Sequence, residues 1–257
     1  MKKWWLFGFV VIFSPLFSHV YMNNCADRIG VANINIISIS PLTSYYQAGV
    51  TNEGISTSIS QPFQIAGVEN GNISLSKNFR KMNISTGALY LFSDHYSMYS
   101  SYLNLNYELL EIISLGLSQK LISINETESY FETISDIGIL ISRDQTKLAI
   151  NYTNLFNNKS NKLDIPNIIS SEISYNPIKD TYLALGVEKE KRHKLSTKFG
   201  IRYRILSSLT LLSGYTLEPN QMFAGLSVSY KDFNITYAIA THPELDSTHQ
   251  ISLIYDF

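Results

Sequence analysis

The last ten residues, Thr248-His249-Gln250-Ile251-Ser252-Leu253-Ile254-Tyr255-Asp256-Phe257, decide the fold. The odd positions are His249, Ile251, Leu253, Tyr255 and Phe257. The even ones are Thr248, Gln250, Ser252, Ile254 and Asp256. One side is apolar and the other mostly polar. A period of two is the mark of a strand that faces two different environments. The chain ends on an aromatic residue.

The same alternation recurs upstream. In 233–241 the odd set is Phe233, Ile235, Tyr237 and Ile239, and the even set is Asn234, Thr236, Ala238 and Ala240. In 194–205 the odd set carries Leu195, Phe199, Ile201, Tyr203 and Ile205, and the even set carries Lys194, Lys198, Arg202 and Arg204. Strands are predicted near 55–62, 71–79, 82–92, 97–108, 111–124, 130–142, 146–156, 168–176, 180–190, 194–205, 207–217, 221–231, 232–242 and 248–257. That is about fourteen, each using roughly 17 residues with its connection, which suits tilted membrane strands of about 9–11 residues. No segment sustains a 3.6-residue apolar period. Tight connections such as Lys231-Asp232 alternate with longer polar ones such as His242–Ser247, as in a barrel with short turns at one end and loops at the other.

Composition points the same way. Only 16% of the 257 residues are charged, against roughly 25% in a soluble domain. A secreted β-sandwich would bury its apolar face behind a charged one, and here charges are scarce on both. A solenoid would show a short fixed repeat, and none is present. Mean hydropathy near zero excludes a bundle of membrane helices, which needs several apolar runs of about 20 residues. The fold class is all-β: a transmembrane antiparallel up-and-down barrel. Lipid offers a backbone no hydrogen-bond partner, so such strands must close on themselves. A net charge of -1 gives no reason to expect a nucleic-acid partner. A single cysteine, Cys25, excludes a disulfide framework and a cysteine-built zinc site.

Residues 1–24 read as a signal peptide. Lys2 and Lys3 precede an apolar stretch from Trp4 to Phe17, too short to span a bilayer. Cleavage is expected between 18 and 26. Met22-Asn23-Asn24 lack the small apolar residues of a lipidation signal, so Cys25 reads as a free thiol. Residues 25–53 form a segment before the barrel, and 54–257 form the barrel.

If the apolar faces meet lipid, the other faces line the interior. Charges then fall inside at Glu108, Lys120, Glu132, Asp136, Lys147 and Glu172. Glu188, Glu190, Lys194, Lys198, Arg202 and Arg204 form the candidate lumen lining on two adjacent strands. Such a set either selects a solute or fills a narrow barrel with ion pairs, and the second reading is favoured. His242, Glu244, Asp246, Ser247 and His249 cluster at one outer loop. A serine hydrolase would use Ser247 with a histidine base, and calcium would use Glu244 and Asp246. No strained turn motif or glycine-rich oxyanion segment surrounds Ser247, so a solvated turn begun by Pro243 is preferred. No enzyme activity, cofactor or metal is read from the sequence. Six Asn-x-Ser/Thr triplets fall mostly within predicted strands and read as polar strand residues.

Two segments carry a resemblance. Arg28-Ile29-Gly30-Val31-Ala32 and then Tyr45-Tyr46-Gln47-Ala48-Gly49-Val50 resemble the opening of the PorV/PorQ and FadL-like outer-membrane superfamily. The usual motif there is Tyr-Tyr-Asn-Pro-Ala-Gly-Leu; here Gln47 replaces Asn, the Pro is missing and Val50 replaces Leu. Gly225-Leu226-Ser227, Phe233 to Ala238 and His242 to Leu253 resemble the last three strands of PorV-like proteins. The resemblance implies a fourteen-stranded barrel in the bacterial outer membrane, with residues 27–53 inside or under it as a plug. PorV and PorQ types hold or shuttle exported proteins of type IX secretion, which is the first functional expectation, with secreted or surface proteins as partners. FadL-type members pass long-chain fatty acids and other apolar compounds. A channel for a hydrophobic small molecule is therefore the alternative. No substrate residue carries over.

Overall fold

The computed structural model describes residues 25–126, 128–156, 166–191 and 193–257. Residues 1–24, expected to be a signal peptide, lie outside the described residues. Fourteen strands follow one another: β1 (Gly54–Gln61), β2 (Glu69–Phe79), β3 (Met82–Ser93), β4 (Tyr96–Leu110), β5 (Ile113–Asn125), β6 (Ser129–Arg143), β7 (Thr146–Thr153), β8 (Ile168–Ile178), β9 (Thr181–Glu190), β10 (Ser196–Leu206), β11 (Leu209–Thr216), β12 (Gln221–Tyr230), β13 (Phe233–Ala240) and β14 (Thr248–Tyr255). Each pairs antiparallel with its sequence neighbours. β1 pairs with β14, Ile59 opposite Ile251, and closes the barrel.

The alternation read in the sequence sorts the side chains. In β1 the even residues Ser56, Ser58 and Ser60 are buried and Ile55, Thr57, Ile59 and Gln61 face out. In β4 Tyr99, Leu103, Leu105 and Tyr107 face out, while Met98, Ser100, Tyr102, Asn104 and Asn106 face in. Leu117, Ile173, Phe199, Ile201, Leu211, Leu226 and Ile235 continue the outer apolar wall. An apolar outside with every strand edge paired is the solution lipid demands.

Two-residue turns close the strands at one end, and residues just inside them adopt left-handed backbone at Arg80, Asp144, Asp180 and Lys231. β7 stops at Thr153, three residues short of the predicted strand. Asn154 turns left-handed (φ 63) and its N–H donates to the Asp136 carboxylate at 3.0 Å. β10 begins at Ser196 rather than at 194, because His193 N–H folds back to the Glu190 carbonyl at 3.3 Å and holds the chain in a turn.

Residues 25–53 lie within the barrel, nearly all of them buried. They include two single helical turns, α1 (Ala26–Ile29) and α2 (Thr43–Tyr46). α1 packs on β12, β13 and β14, with Ala26, Ile29 and Ala32 against Phe223 and Ala238. Val31, Ile34, Ile36, Ile37 and Val50 pack with Ala149, Ala184 and Leu212. Cys25, Leu42 and Tyr45 join Leu89, Leu91, Met98, Tyr102, Ile122, Ile124 and Ile134 in an apolar cluster toward the loop end of β3–β6. The core of this protein is therefore the contact between its N-terminal segment and the inner wall.

Candidate functional site

The inner segment is seated by matching absences in the wall. Asn106, Gly116, Gly138 and Asn151 stand opposite one another across β4, β5, β6 and β7. A Cβ on Gly116 would lie 1.7 Å from the Ala48 carbonyl oxygen, and one on Gly138 would lie 2.3 Å from the Gly49 nitrogen. The two glycines leave a trough for the Ala48-Gly49 peptide. The asparagines grip it from the rims. Ala48 N–H donates to Asn151 Oδ1 at 3.0 Å. Asn104 and Asn106 donate to the Ala48 carbonyl at 3.1 and 3.3 Å, and Asn106 also donates to the Gly49 carbonyl at 3.0 Å. A second pair, Gly200 and Gly214, admits Val31 and Ala32 in the same way.

Charged groups fix the rest. Asp27, fully buried, is paired with Arg202 of β10. Its other oxygen accepts from Ser38 Oγ and Ile39 N–H, each at 2.7 Å. Glu172 of β8 accepts three hydrogen bonds from Asn35 and Ile36, at 2.7 to 2.9 Å. Arg28 donates to Asn35 Oδ1 at 2.7 Å and stacks 3.5 Å from the centre of the Tyr46 ring. Lys120 and Asp136 pair at 2.6 Å in the wall, and the Lys120 ammonium lies 4.2 Å from the Tyr45 ring centre. Tyr45 OH meets Ser100 Oγ at 3.0 Å. Each of these buried charges has an opposite charge, several hydrogen bonds or an aromatic face, as desolvation requires.

Two cavities flank this packing on the same side of the barrel. One, of about 50 Å³, lies at the loop end between Ile29, Asn33, Phe63, Phe223, Ala240 and Thr248. The other, of about 270 Å³, lies at the turn end between Ile39, Asn52, Glu53, Arg202, Arg204 and Asp256. α1 and the Asp27–Arg202 pair stand between them.

The six residues proposed as a lumen lining separate into three levels. Glu188 and Lys198 pair at 2.8 Å near the loop end, and Glu190 meets His193 there at 3.4 Å. Lys194 lies before β10, largely exposed, and pairs with Glu218 at 3.3 Å; it falls outside the wall. Arg202 reaches the inner segment. Arg204 pairs with Asp180 at 3.2 Å at the turn end. Sequence reasoning missed Asp27 and Arg28, whose segment has no strand alternation to place them. It also passed over Gly116, Gly138, Gly200 and Gly214. Their shared inward parity on neighbouring strands was a usable signal. Among the described residues no group of three or more His, Cys, Asp or Glu side chains is placed to hold a metal.

No family model matches the sequence, and the comparison with curated proteins gives no match. The fold is similar to solved structures. A Pseudomonas aeruginosa FadL homologue superposes with a TM-score of 0.65 at 10% identity, over 91% of this chain and 98% of that one. The monoaromatic hydrocarbon channel CymD gives 0.63 at 11% identity, over 91% and 97%. The Pseudomonas putida toluene transporter TodX gives 0.62 at 11%, over 90% and 98%. The likeness is one of fold. A closed barrel with an apolar outer wall belongs in the bacterial outer membrane, and this chain has that structure.

Proposed function

We propose that the protein is a plugged outer-membrane channel for small hydrophobic compounds, with residues 25–53 as the plug. One observation carries the reading: the inner segment separates two cavities and fills the bore between them, held to the wall by apolar packing together with the polar and ionic contacts of Ala48, Asn35 and Asp27. Its polar contacts exchange for water at modest net cost, and an apolar solute entering beside it would take over part of the apolar contact that its movement gives up. The loop-end cavity has a mixed lining in which Ile29, Phe63, Phe223 and Ala240 supply an apolar face for such a solute. At about 50 Å³ it is smaller than the roughly 150 Å³ that holds a benzene. Passage therefore requires the plug to move. That the similar structures CymD and TodX are a monoaromatic hydrocarbon channel and a toluene transporter supports this choice of solute class. The anchoring of exported proteins rests on the tail resemblance and the short outer loops, and takes second place. The test is uptake of a labelled monoaromatic hydrocarbon by cells with and without the protein. Faster uptake with the protein is expected; equal rates at limiting solute would refute the proposal.

A further inference from the structure

Three side chains that transport does not use come together on the outside of the barrel. Ser247 Oγ lies 3.0 Å from His249 Nε2. The other ring nitrogen, Nδ1, lies 2.5 Å from the phenolic oxygen of Tyr237. With Nδ1–H donated to Tyr237, Nε2 presents its lone pair to the serine hydroxyl. That is the relation of nucleophile, base and orienting group in serine acyl transfer. Sequence reading set this loop aside for want of a strained turn and an oxyanion donor. The structure supplies an amide donor from a segment 183 residues away. Gln64 Nε2 lies 3.3 Å from Ser247 Oγ and 3.4 Å from His249 Nε2. Gln64 follows Phe63 in the turn Pro62–Gln64, and both have left-handed backbone (φ 52 and 55). Two successive non-glycine residues in that region are costly and hold only when braced. The bracing is Phe63 N–H to Thr248 Oγ1 at 3.1 Å and Gln61 Nε2 to the Ile65 carbonyl at 3.0 Å.

The setting specifies the substrate. His249 stands opposite Gln61 of β1 and Ile239 of β13, near the loop end of β14. Ile251 and Leu253 follow it down the same outward face, both exposed. The group therefore sits at the upper margin of the apolar belt, the level where lipid headgroups meet acyl chains. The geometry points to a serine esterase site on the outer wall, acting on acyl esters of membrane lipids. Ser247 Oγ attacks the ester carbonyl carbon while its proton passes to His249 Nε2. Gln64 Nε2 donates to the oxyanion. The intermediate collapses, the C–O bond to the alcohol breaks, and His249 returns the proton to the departing alkoxide. Water then hydrolyses the acyl-serine by the same steps and releases the fatty acid. Tyr237 is a positioning residue.

The test uses the full-length protein in mild detergent. A fluorophosphonate probe, followed by peptide mass spectrometry, reads whether Ser247 is phosphonylated. Release of fatty acid from phosphatidylethanolamine in mixed micelles reads turnover. Expected are an adduct on Ser247, and loss of both adduct and turnover in S247A. H249A should lower kcat by more than a hundredfold. Q64A should lower kcat by about 10²–10³, and Y237F should lower kcat with KM little changed. All four side chains lie at the surface, and heat-modifiable gel migration checks that each variant keeps its barrel. No adduct on Ser247, labelling spread over other serines, or turnover in S247A equal to the parent would overturn the assignment.

Discussion

Replacing Gly116 by alanine should unseat the inner segment and, on the proposed channel reading, open the barrel. The new methyl would lie 1.7 Å from the Ala48 carbonyl oxygen, roughly 1.5 Å short of ordinary contact. The wall cannot yield, because β5 is hydrogen-bonded to β4 and β6 along its length. The Ala48-Gly49 peptide must lift instead. It then loses four hydrogen bonds, to Asn104, Asn106 and Asn151. At about 1 kcal/mol net each the seated state weakens by about 4 kcal/mol, or nearly 10³ in the ratio of seated to displaced plug. Single-channel recording in planar bilayers is the assay. The parent should be closed with rare openings, and G116A should dwell open. G138A, which meets the same peptide from the next strand, should act alike. If G116A folds, by heat-modifiable migration, and its trace matches the parent, the plug is not seated through this trough and the argument fails.

Three further outcomes follow from the same contacts. R202M leaves Asp27 buried without its cation, a loss of about 3–5 kcal/mol when one partner of a buried pair is removed. Cys25, the sole cysteine and buried beside Asp27, should then react with maleimide in folded protein, and no gain in labelling would count against the pairing. E172Q replaces one acceptor oxygen of a carboxylate that takes three hydrogen bonds with an amide donor, so about 1–3 kcal/mol of plug docking should be lost, visible as a lower unfolding temperature on gels. His242 caps its own loop: Nδ1 accepts from the Glu244 and Leu245 N–H groups at 3.2 and 3.1 Å. Burial lowers its pKa, and Glu244 opposes this more weakly. A depressed histidine favours the neutral form, so its contribution is complete above the ordinary value of about 6.5 and fades as pH falls through the lowered one. The protection factors of the Glu244 and Leu245 amides, each taken against the intrinsic exchange rate at the same pH, should fall with acid in the parent and be low at all pH values in H242A.

The wall was legible because lipid outside and packing inside impose one period on every strand. Ile251, Leu253 and Tyr255 show which side is which without any partner in view. Strand ends were less so: Asn154 stops β7 through a bond to Asp136, a residue on another strand. The inner segment carries no period, since Asp27, Arg28 and Asn35 are each placed by an individual contact. The Ser247–His249 pair was visible as two residue types, but its donor Gln64 was not. Chain separation hides a neighbour that only the β1–β14 seam brings near.

That seam also sets an order of assembly. The first strand finds its partner in the last, Ile55 beside Tyr255. Nothing can close until synthesis and export of the final residues are done, and pairing over such a distance is slow. The ring would have to shut around a segment already threaded through it. Asn35 meets Glu172 and Asp27 meets Arg202 across the lumen, and these contacts can form while the sheet is still an open curl. The N-terminal segment is thus positioned to act as the mandrel on which the sheet is rolled. A chain lacking the last strand would keep β1 and β13 as bare edges, able to pair with one another only around a narrower bore that has no room for what it must enclose.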